Sequence, residues 1–480
     1  MSLQSDNNKK VYFLGVGGIA MGTLATMLKE RGFDVSGSDQ NLYPPMSLHL
    51  EALRIPVCQG YRAENLERRL PDVVVVGNVI RRDNPEAQYV LEHNIPYVSM
   101  PEAISRFFLE DHKSMVVAGT HGKSTTSALL AWVLAHGGMD PSAFIGAFLK
   151  NWQRSYRLGN GPYMVLEGDE YDTAFFDKGP KFLHYRPHIG VITSIEFDHA
   201  DIFKDFDAVL KAFRDFVKII PSDGYLLVNA DDPNCLAVAK ECKGKVITYA
   251  CGSDADWQLL DVVYRSGEVE FEYKDPQQRK NTMISKLAGR HNLSNSLAVL
   301  AAASIAGLTS GQVQEALLAF EGVKRRQDVL GEGRGVLVID DFAHHPTAVK
   351  ETIQALRLYY PERRLIAAFE PRTNSSRRNV FEDDYALAFD SADRVCIKQP
   401  PDMEKIPKEE RLDVVGLVRK ISRRHADASL FENTEALLQS LLQRCEAGDL
   451  VLCMSNGSFD GLPQRLFNAL REEEGWGGKS

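Results

Sequence analysis

No apolar run in the 480 residues approaches the length of a bilayer span, and Met1 to Lys10 is polar without the apolar stretch of a secretory leader. Both absences point to a cytoplasmic protein with no membrane partner. Cysteine is sparse: the seven residues are scattered, odd in number and never spaced as Cys-x-x-Cys, which excludes a disulfide framework and a zinc ribbon. An excess of positive charge is missing too. The formal charge of -9 argues against a nucleic-acid surface, while leaving room for a local basic site that holds an anion. What is present is ordinary globular material, 44% hydrophobic and 25% charged, in a chain long enough for two to four domains.

Strand-like and helix-like segments alternate along the chain and predict an α/β fold in three blocks, with boundaries at 1–111, 112–322 and 323–480. The first block opens with VYFLGVGG and continues through FDVSGSD and VVVVGN, as a Rossmann-like parallel sheet does. The second restarts at Met115 to Ala118 and holds YMVLEG, IGVITSIE, YLLVNA and KVITYA; polar alternation from Asp254 to Ser285 then predicts an antiparallel addition. The third repeats the Rossmann-like theme with GVLVIDD, RRLIAAFE, DRVCIK and DLVLCMSNG.

The sharpest motif is VVAGTHGKSTT, Val116 to Thr126, a buried strand, a glycine turn and a helix predicted from Thr125 to His136. Glycines let backbone N–H groups converge on phosphate oxygens, Lys123 adds a cation, and the Ser124 hydroxyl suits Mg²⁺. The usual Gly-x4-Gly-Lys-Ser/Thr spacing would need glycine where Val117 stands, so Gly119, Thr120, His121, Gly122, Lys123, Ser124 and Thr125 form a compact variant. A second glycine turn, Gly15, Gly17, Gly18, Ile19 and Ala20 with Asp39 ending the next strand, fits a nucleotide diphosphate or a nicotinamide dinucleotide equally well, with a purely structural turn as the lesser reading.

Carboxylates gather after buried strands. EGDEYD supplies Glu167, Asp169, Glu170 and Asp172, carboxylates that attract Mg²⁺ or, for Asp169 and Asp172, stand in a solvated loop; SIEFDHAD supplies His199. GRHNLSN places Asn292 and Asn295 three residues apart at a helix start, where they either hold nucleotide atoms or cap the helix. Arg325 and Arg326 occupy a presumed hinge, and IDDFAHHP sets Asp340, Asp341, His344 and His345 before a helix in a cluster too polar for core.

In this order GVGGIA, GTHGKSTT, EGDEYD, EFDHAD, GRHNLSN, KRR and DDFAHHP resemble the Mur ligases, amide-forming synthetases of peptidoglycan assembly, over nearly the whole chain. YPPMS, EGDEYDTAFFDKGPKFLHYRP and EFDHADIF are similar to the branch that joins UDP-N-acetylmuramate to the recycled tripeptide L-alanyl-γ-D-glutamyl-meso-diaminopimelate. The alternative branch, which adds L-alanine to the same sugar, typically reads EADESDASF and EADHMD. A nicotinamide-dependent dehydrogenase is the alternative from another class.

The resemblance implies a UDP-sugar domain, an ATPase domain and an amine domain, in that order, using ATP and Mg²⁺. It implies Gly15, Gly17, Gly18, Ile19, Asp39 and Asn78 for the UDP-sugar, and Gly119 to Thr125 for the ATP phosphates. Ser124, Glu167 and His199 are implied for the metal, with Glu170 a rival to Glu167, and Asn292, Asn295, Arg326, Asp341 and His344 for ATP and phosphoryl transfer. Arg372 and Asn456 lie in loops that offer donors to a peptide. Some relatives carry a carbamylated lysine downstream of the His199 equivalent; VLKAFRDF has no clear counterpart beyond the nearby Lys211, so none is expected.

Overall fold

The computed structural model describes residues 9–43, 46–198, 203–265, 267–424 and 427–477. Three sheets follow one another along the chain. The first contains β1 (Lys10–Leu14), β2 (Asp34–Asp39), β3 (Val57–Gln59), β4 (Val73–Val76) and β5 (Tyr97–Ser99), in the order β3-β2-β1-β4-β5 and parallel throughout. Its central strands are continuous apolar runs because helices cover both faces; all four valines of β4 are buried.

The second sheet has ten strands. They include β6 (Lys113–Ala118), β7 (Ser142–Leu149), β8 (Arg154–Arg157) and β9 (Tyr163–Glu167). A small hairpin of β10 (Asp172–Ala174) and β11 (Asp177–Pro180) stands apart. The sheet continues with β12 (Ile189–Ile192), β13 (Tyr225–Asn229), β14 (Lys245–Ala250), β15 (Trp257–Arg265), β16 (Glu268–Lys274) and β17 (Lys280–Ser285). The order is β17-β16-β15-β14-β13-β12-β6-β9-β7-β8, parallel from β15 to β7 and antiparallel at both edges. In β16 buried Val269, Phe271 and Tyr273 alternate with partly exposed Glu270 and Glu272, the pattern of a sheet with one wet face.

The third sheet orders β18 (Asp328–Gly333), β19 (Val336–Asp341), β23 (Asp449–Met454), β20 (Arg364–Phe369), β21 (Arg394–Lys398) and β22 (Asp427–Phe431) side by side. Only β18 in this sheet runs antiparallel to its neighbour.

The first two units share an apolar core: Phe13 and Phe108 belong to the same cluster as Phe182 and Phe216. The third unit keeps its own core around Phe369 and Phe389 and reaches the central one through Ala355 and Tyr359 of the helix Pro346–Tyr359. Among the described residues no helix is long and apolar enough to cross a membrane.

The helix after the phosphate turn begins at Lys123, two residues earlier than the pattern suggested, because left-handed Gly122 (φ 79°) lets the chain enter the helix at once. IGVITSIE is a strand only through Ile192; Thr193 to Asp198 form an extended loop over the cradle. β7, β8 and β22 escape sequence reading, since their burial does not alternate cleanly.

Candidate active site

The site is assembled where the carboxyl ends of β6, β9, β12 and β19 meet, the edge of a parallel sheet at which ligands bind. At its centre Gly119 turns at φ 134° and Gly122 at φ 79°, so the backbone folds tightly around the space before the helix Lys123–His136. Lys123 Nζ donates to the carbonyls of Gly119 (2.6 Å) and Thr120 (3.3 Å) and to Glu170 Oε2 (3.0 Å). Burial works against its charge, but Glu170 and Asp169 outweigh burial and raise its pKa, so it stays a cation.

Glu170 is itself buried and bound to Lys123. Glu167, at the end of β9, instead accepts the Ser124 hydroxyl (2.9 Å) on Oε1 and the Gly146 amide (2.8 Å) on Oε2. The two carboxylates thus have different partners: a hydroxyl and a carboxylate lie side by side at Ser124 and Glu167, a hard-oxygen pair of the kind that fits Mg²⁺, while Glu170 is the counter-ion of the lysine. Asp169 is no solvated loop residue. Burial opposes its ionisation, yet Lys181 (2.6 Å) and Lys123 hold it below the ordinary carboxylate range. Asp172 is half-buried like Asp169 and is paired with Lys178. His199 lies outside the described residues. Lys211 sits on the surface, paired with Asp215.

Residues from the third unit close over this cradle. Arg326 Nη2 donates to Ser124 Oγ (3.3 Å) from a connector in which Arg325 (φ 60°) and Gln327 (φ 47°) are both left-handed. Buried Asp341 holds that connector, accepting the amides of Gln327 (2.6 Å) and Ala343 (2.7 Å). Asn292 and Asn295 do not cap their helix: Gly289 does, and both amides are buried on the cavity side, Asn295 Nδ2 on Asn292 Oδ1 at 3.2 Å. Ser124, Asn292, Asn295, Arg326 and Asp341 line a single cavity of about 420 Å³, which draws on both units.

His345 is buried in an inter-unit seam and not in an apolar core. Glu196 gathers this seam: its Oε2 lies 3.1 Å from His121 Nε2 and 3.6 Å from His345 Nδ1 and accepts Thr347 Oγ1 at 2.9 Å. Burial drives His344 and His345 down to about 4, so both are neutral at pH 7. Sequence reading quoted Glu196 without giving it a role and missed Gln327, which bridges His291 and Asn292; adjacency to the arginine pair was the available signal.

Burial lifts Asp340 to about 6, against Arg325 3.5 Å away and with Asp341 and Asp328 adding to the rise. Its folded pKa exceeds the unfolded value of about 3.9, so the folded state binds the extra proton and stability falls as pH rises from 4 through 6. Asp340→Asn should raise the thermal midpoint at pH 7.5, with the gain shrinking to nothing near pH 4; a gain that is the same at both pH values would remove the cause given.

In the first unit, Asp39 Oδ2 accepts the Gly17 amide (2.8 Å) and so shapes the glycine turn, in which Gly15 is left-handed at φ 83°. Ile19 and Asn78 are exposed beside it, as is Gly18. Arg372 and Asn456 fall together at the far end of the third sheet, next to Glu370 and Gly457.

A lysine-bearing glycine loop at a sheet's carboxyl edge, a hydroxyl–carboxylate pair beside it and an arginine arriving from a separate unit define an ATP-dependent ligase of several domains. Family models agree: the Mur ligase family catalytic domain matches residues 10–112, the Mur ligase middle domain 117–303, and the Mur ligase glutamate ligase domain 325–457. The chain is 37% identical to the UDP-N-acetylmuramate–L-alanyl-γ-D-glutamyl-meso-2,6-diaminoheptandioate ligase of Escherichia coli K12, covering 97% of this chain and 99% of that one. It is 32% identical to the UDP-N-acetylmuramate–L-alanine ligase of Clostridium novyi, over 94% and 96% of the two chains. The crystal structure of a murein peptide ligase from Psychrobacter arcticus matches with a TM-score of 0.70 at 31% identity, over 96% of this chain and 98% of that one. The chain belongs to the Mur ligase family, which sets aside the nicotinamide reading of the first glycine turn.

Proposed function

We propose that this protein joins the carboxylate of UDP-N-acetylmuramate to the amine of L-alanyl-γ-D-glutamyl-meso-diaminopimelate, with ATP converted to ADP and phosphate, in peptidoglycan recycling. The observation that carries the chemistry is Ser124 and Arg326 meeting on one cavity, with Lys123 next to Ser124 in the glycine loop and Glu167 accepting the Ser124 hydroxyl. The choice of peptide is supported by likeness to the Escherichia coli enzyme named for that reaction.

The first unit, with Gly15, Gly17, Gly18, Ile19, Asp39 and Asn78 at its glycine turn, takes the UDP-sugar. The central unit takes ATP on Gly119 to Thr125, with Asn292, Asn295, Asp341 and His344 around it. The third unit takes the peptide, with Arg372 and Asn456 among its contacts.

A carboxylate does not react with an amine at neutral pH. Its oxygen attacks the γ-phosphorus, the bond to the β-phosphate oxygen breaks, and ADP leaves an acyl phosphate. The amine nitrogen then attacks the acyl carbon, inorganic phosphate departs, and the nitrogen sheds a proton. Lys123 and Arg326 hold the transferring group and offset its spreading negative charge. Ser124 and Glu167 would hold Mg²⁺, with His199 as the third ligand that the family resemblance implies; when bound, the ion would neutralise phosphate charge. Closure of the third unit onto the cradle excludes water, which would otherwise hydrolyse the acyl phosphate.

The test is ADP release with UDP-N-acetylmuramate and either the tripeptide or L-alanine. The tripeptide should win by orders of magnitude in kcat/KM, because donors built for a longer peptide are left unpaired by alanine. Preference for alanine would transfer the chain to the other branch. Oxygen label from the sugar acid should also appear in the released phosphate.

A further inference from the structure

The seam between the central and third units brings three metal-ligating side chains to one point. His121 comes from the glycine loop, Glu196 from the loop after β12 and His345 from the start of the helix Pro346–Tyr359. One ligand atom from each lies within 4.8 Å of the others, and no other group of three or more His, Cys, Asp or Glu among the described residues does so. Glu196 Oε2 is 3.1 Å from His121 Nε2 and 3.6 Å from His345 Nδ1. Bonds of about 2.0–2.2 Å to a tetrahedral zinc ion set its ligands about 3.3–3.6 Å apart, a spacing close to both.

Hydrogen bonding leaves the trio unfinished. His345 Nδ1 accepts the Thr347 N–H at 3.4 Å, so it has no proton to offer Glu196, and two acceptors face each other across the seam. Such a pair repels unless a cation stands between its members. The other ring nitrogen, Nε2, is buried with no hydrogen-bond partner among the described residues. Neutral imidazole is the form that ligates a metal, and His345 is neutral at pH 7. Glu196 Oε2 is fixed from behind by the Thr347 hydroxyl at 2.9 Å, the kind of outer partner that orients a ligating carboxylate.

An ion can also reach the three. His345 is only 7% exposed, but the side chains of His121 and Glu196 keep 19% and 36%. Glu196 and His345 line a second cavity, of about 560 Å³, which adjoins the one at Ser124 along Glu196 and Thr347.

We propose that His121, Glu196 and His345 form a separate divalent-metal site, one that takes a nitrogen-preferring transition ion such as Zn²⁺ and staples the third unit to the phosphate turn. Two imidazoles and a carboxylate favour zinc over magnesium, which keeps to oxygen ligands such as the Ser124–Glu167 pair. Water takes the fourth position. Two ligands belong to the central unit and one to the third, so the full set exists only when the units are together. The ion therefore favours the closed arrangement by as much as the third ligand adds to its affinity.

The experiment titrates the full chain with Zn²⁺ alone, without nucleotide or Mg²⁺, by calorimetry. Loss of an outer partner costs about 10–100-fold in metal affinity, and Thr347→Val should weaken Zn²⁺ binding by that factor. His345→Asn deletes a ligand but keeps a residue that caps helices well, so the protein should fold and bind Zn²⁺ at least about 100-fold more weakly. Glu167→Gln, which disables the oxygen pair, should leave Zn²⁺ affinity unchanged. Affinity that falls as far in Glu167→Gln as in His345→Asn, or no measurable uptake by the wild type, overturns the assignment. Zn²⁺ should also slow the release of bound ADP from the wild type and not from His345→Asn; release that is unchanged with the site filled overturns the staple.

Discussion

Lys123→Ala should lower turnover by at least about 10²- to 10³-fold, the effect of deleting one preorganised donor at a developing negative charge. The same substitution should also cost stability. Lys123 is the partner of Glu170, a carboxylate only 3% exposed, and removing one member of a buried pair leaves the other uncompensated at a cost of about 3–5 kcal/mol. The two losses separate in Lys123→Ala/Glu170→Gln, which should recover the thermal midpoint and none of the turnover. Binding of the UDP-sugar to the first unit, measured by calorimetry, should be unchanged in either variant. A single variant that keeps a tenth of wild-type turnover would remove the lysine from the reaction.

Gly119→Ala should be nearly as damaging, for a reason of shape. At φ 134° the backbone is one that side chains rarely adopt, and a Cβ there would collide with Thr193 Oγ1 and stand 3.0 Å from the Ser194 amide. That amide belongs to the loop whose Ser194 carbonyl receives the Thr120 N–H and whose hydroxyl receives the His121 N–H. The added methyl therefore pushes β12's loop away from the phosphate turn. The expected outcome is a drop in ATP affinity large enough to read by calorimetry, together with a lower thermal midpoint. Thr193→Ala in the same chain should restore part of the midpoint, since the collision goes but the strained φ stays; complete recovery would show that φ was not strained.

The pattern of legible and illegible features follows from locality. The phosphate loop, its strand and its helix are contiguous in sequence, and glycine spacing reports their geometry directly. Glu167 was visible as a carboxylate at a strand end, but its advantage over Glu170 depends on Gly146, which β7 brings alongside β9. Likewise the ion pairs of Lys398 with Glu370, 28 residues away, and with Asp460, 62 away, exist only through the adjacency of β20, β21 and β23. The asparagines of GRHNLSN were placed correctly at a helix start, yet the capping alternative fails because left-handed Gly289 (φ 97°) opens that helix. IDDFAHHP read as too polar for core, but no sequence reveals that a second unit will cover it and that Glu196 and Thr347 will meet there.

The connector is stitched to the central sheet before it turns. Lys150 N–H donates to Gly322 and Lys324 N–H to Phe148, and Val323 makes a single antiparallel bridge to Leu149 of β7. Any swivel of the third unit must therefore begin past Lys324, at the left-handed Arg325 and Gln327. Since β7 also carries Gly146, whose amide donates to Glu167, the anchored start of the connector and that carboxylate are fixed to one and the same strand.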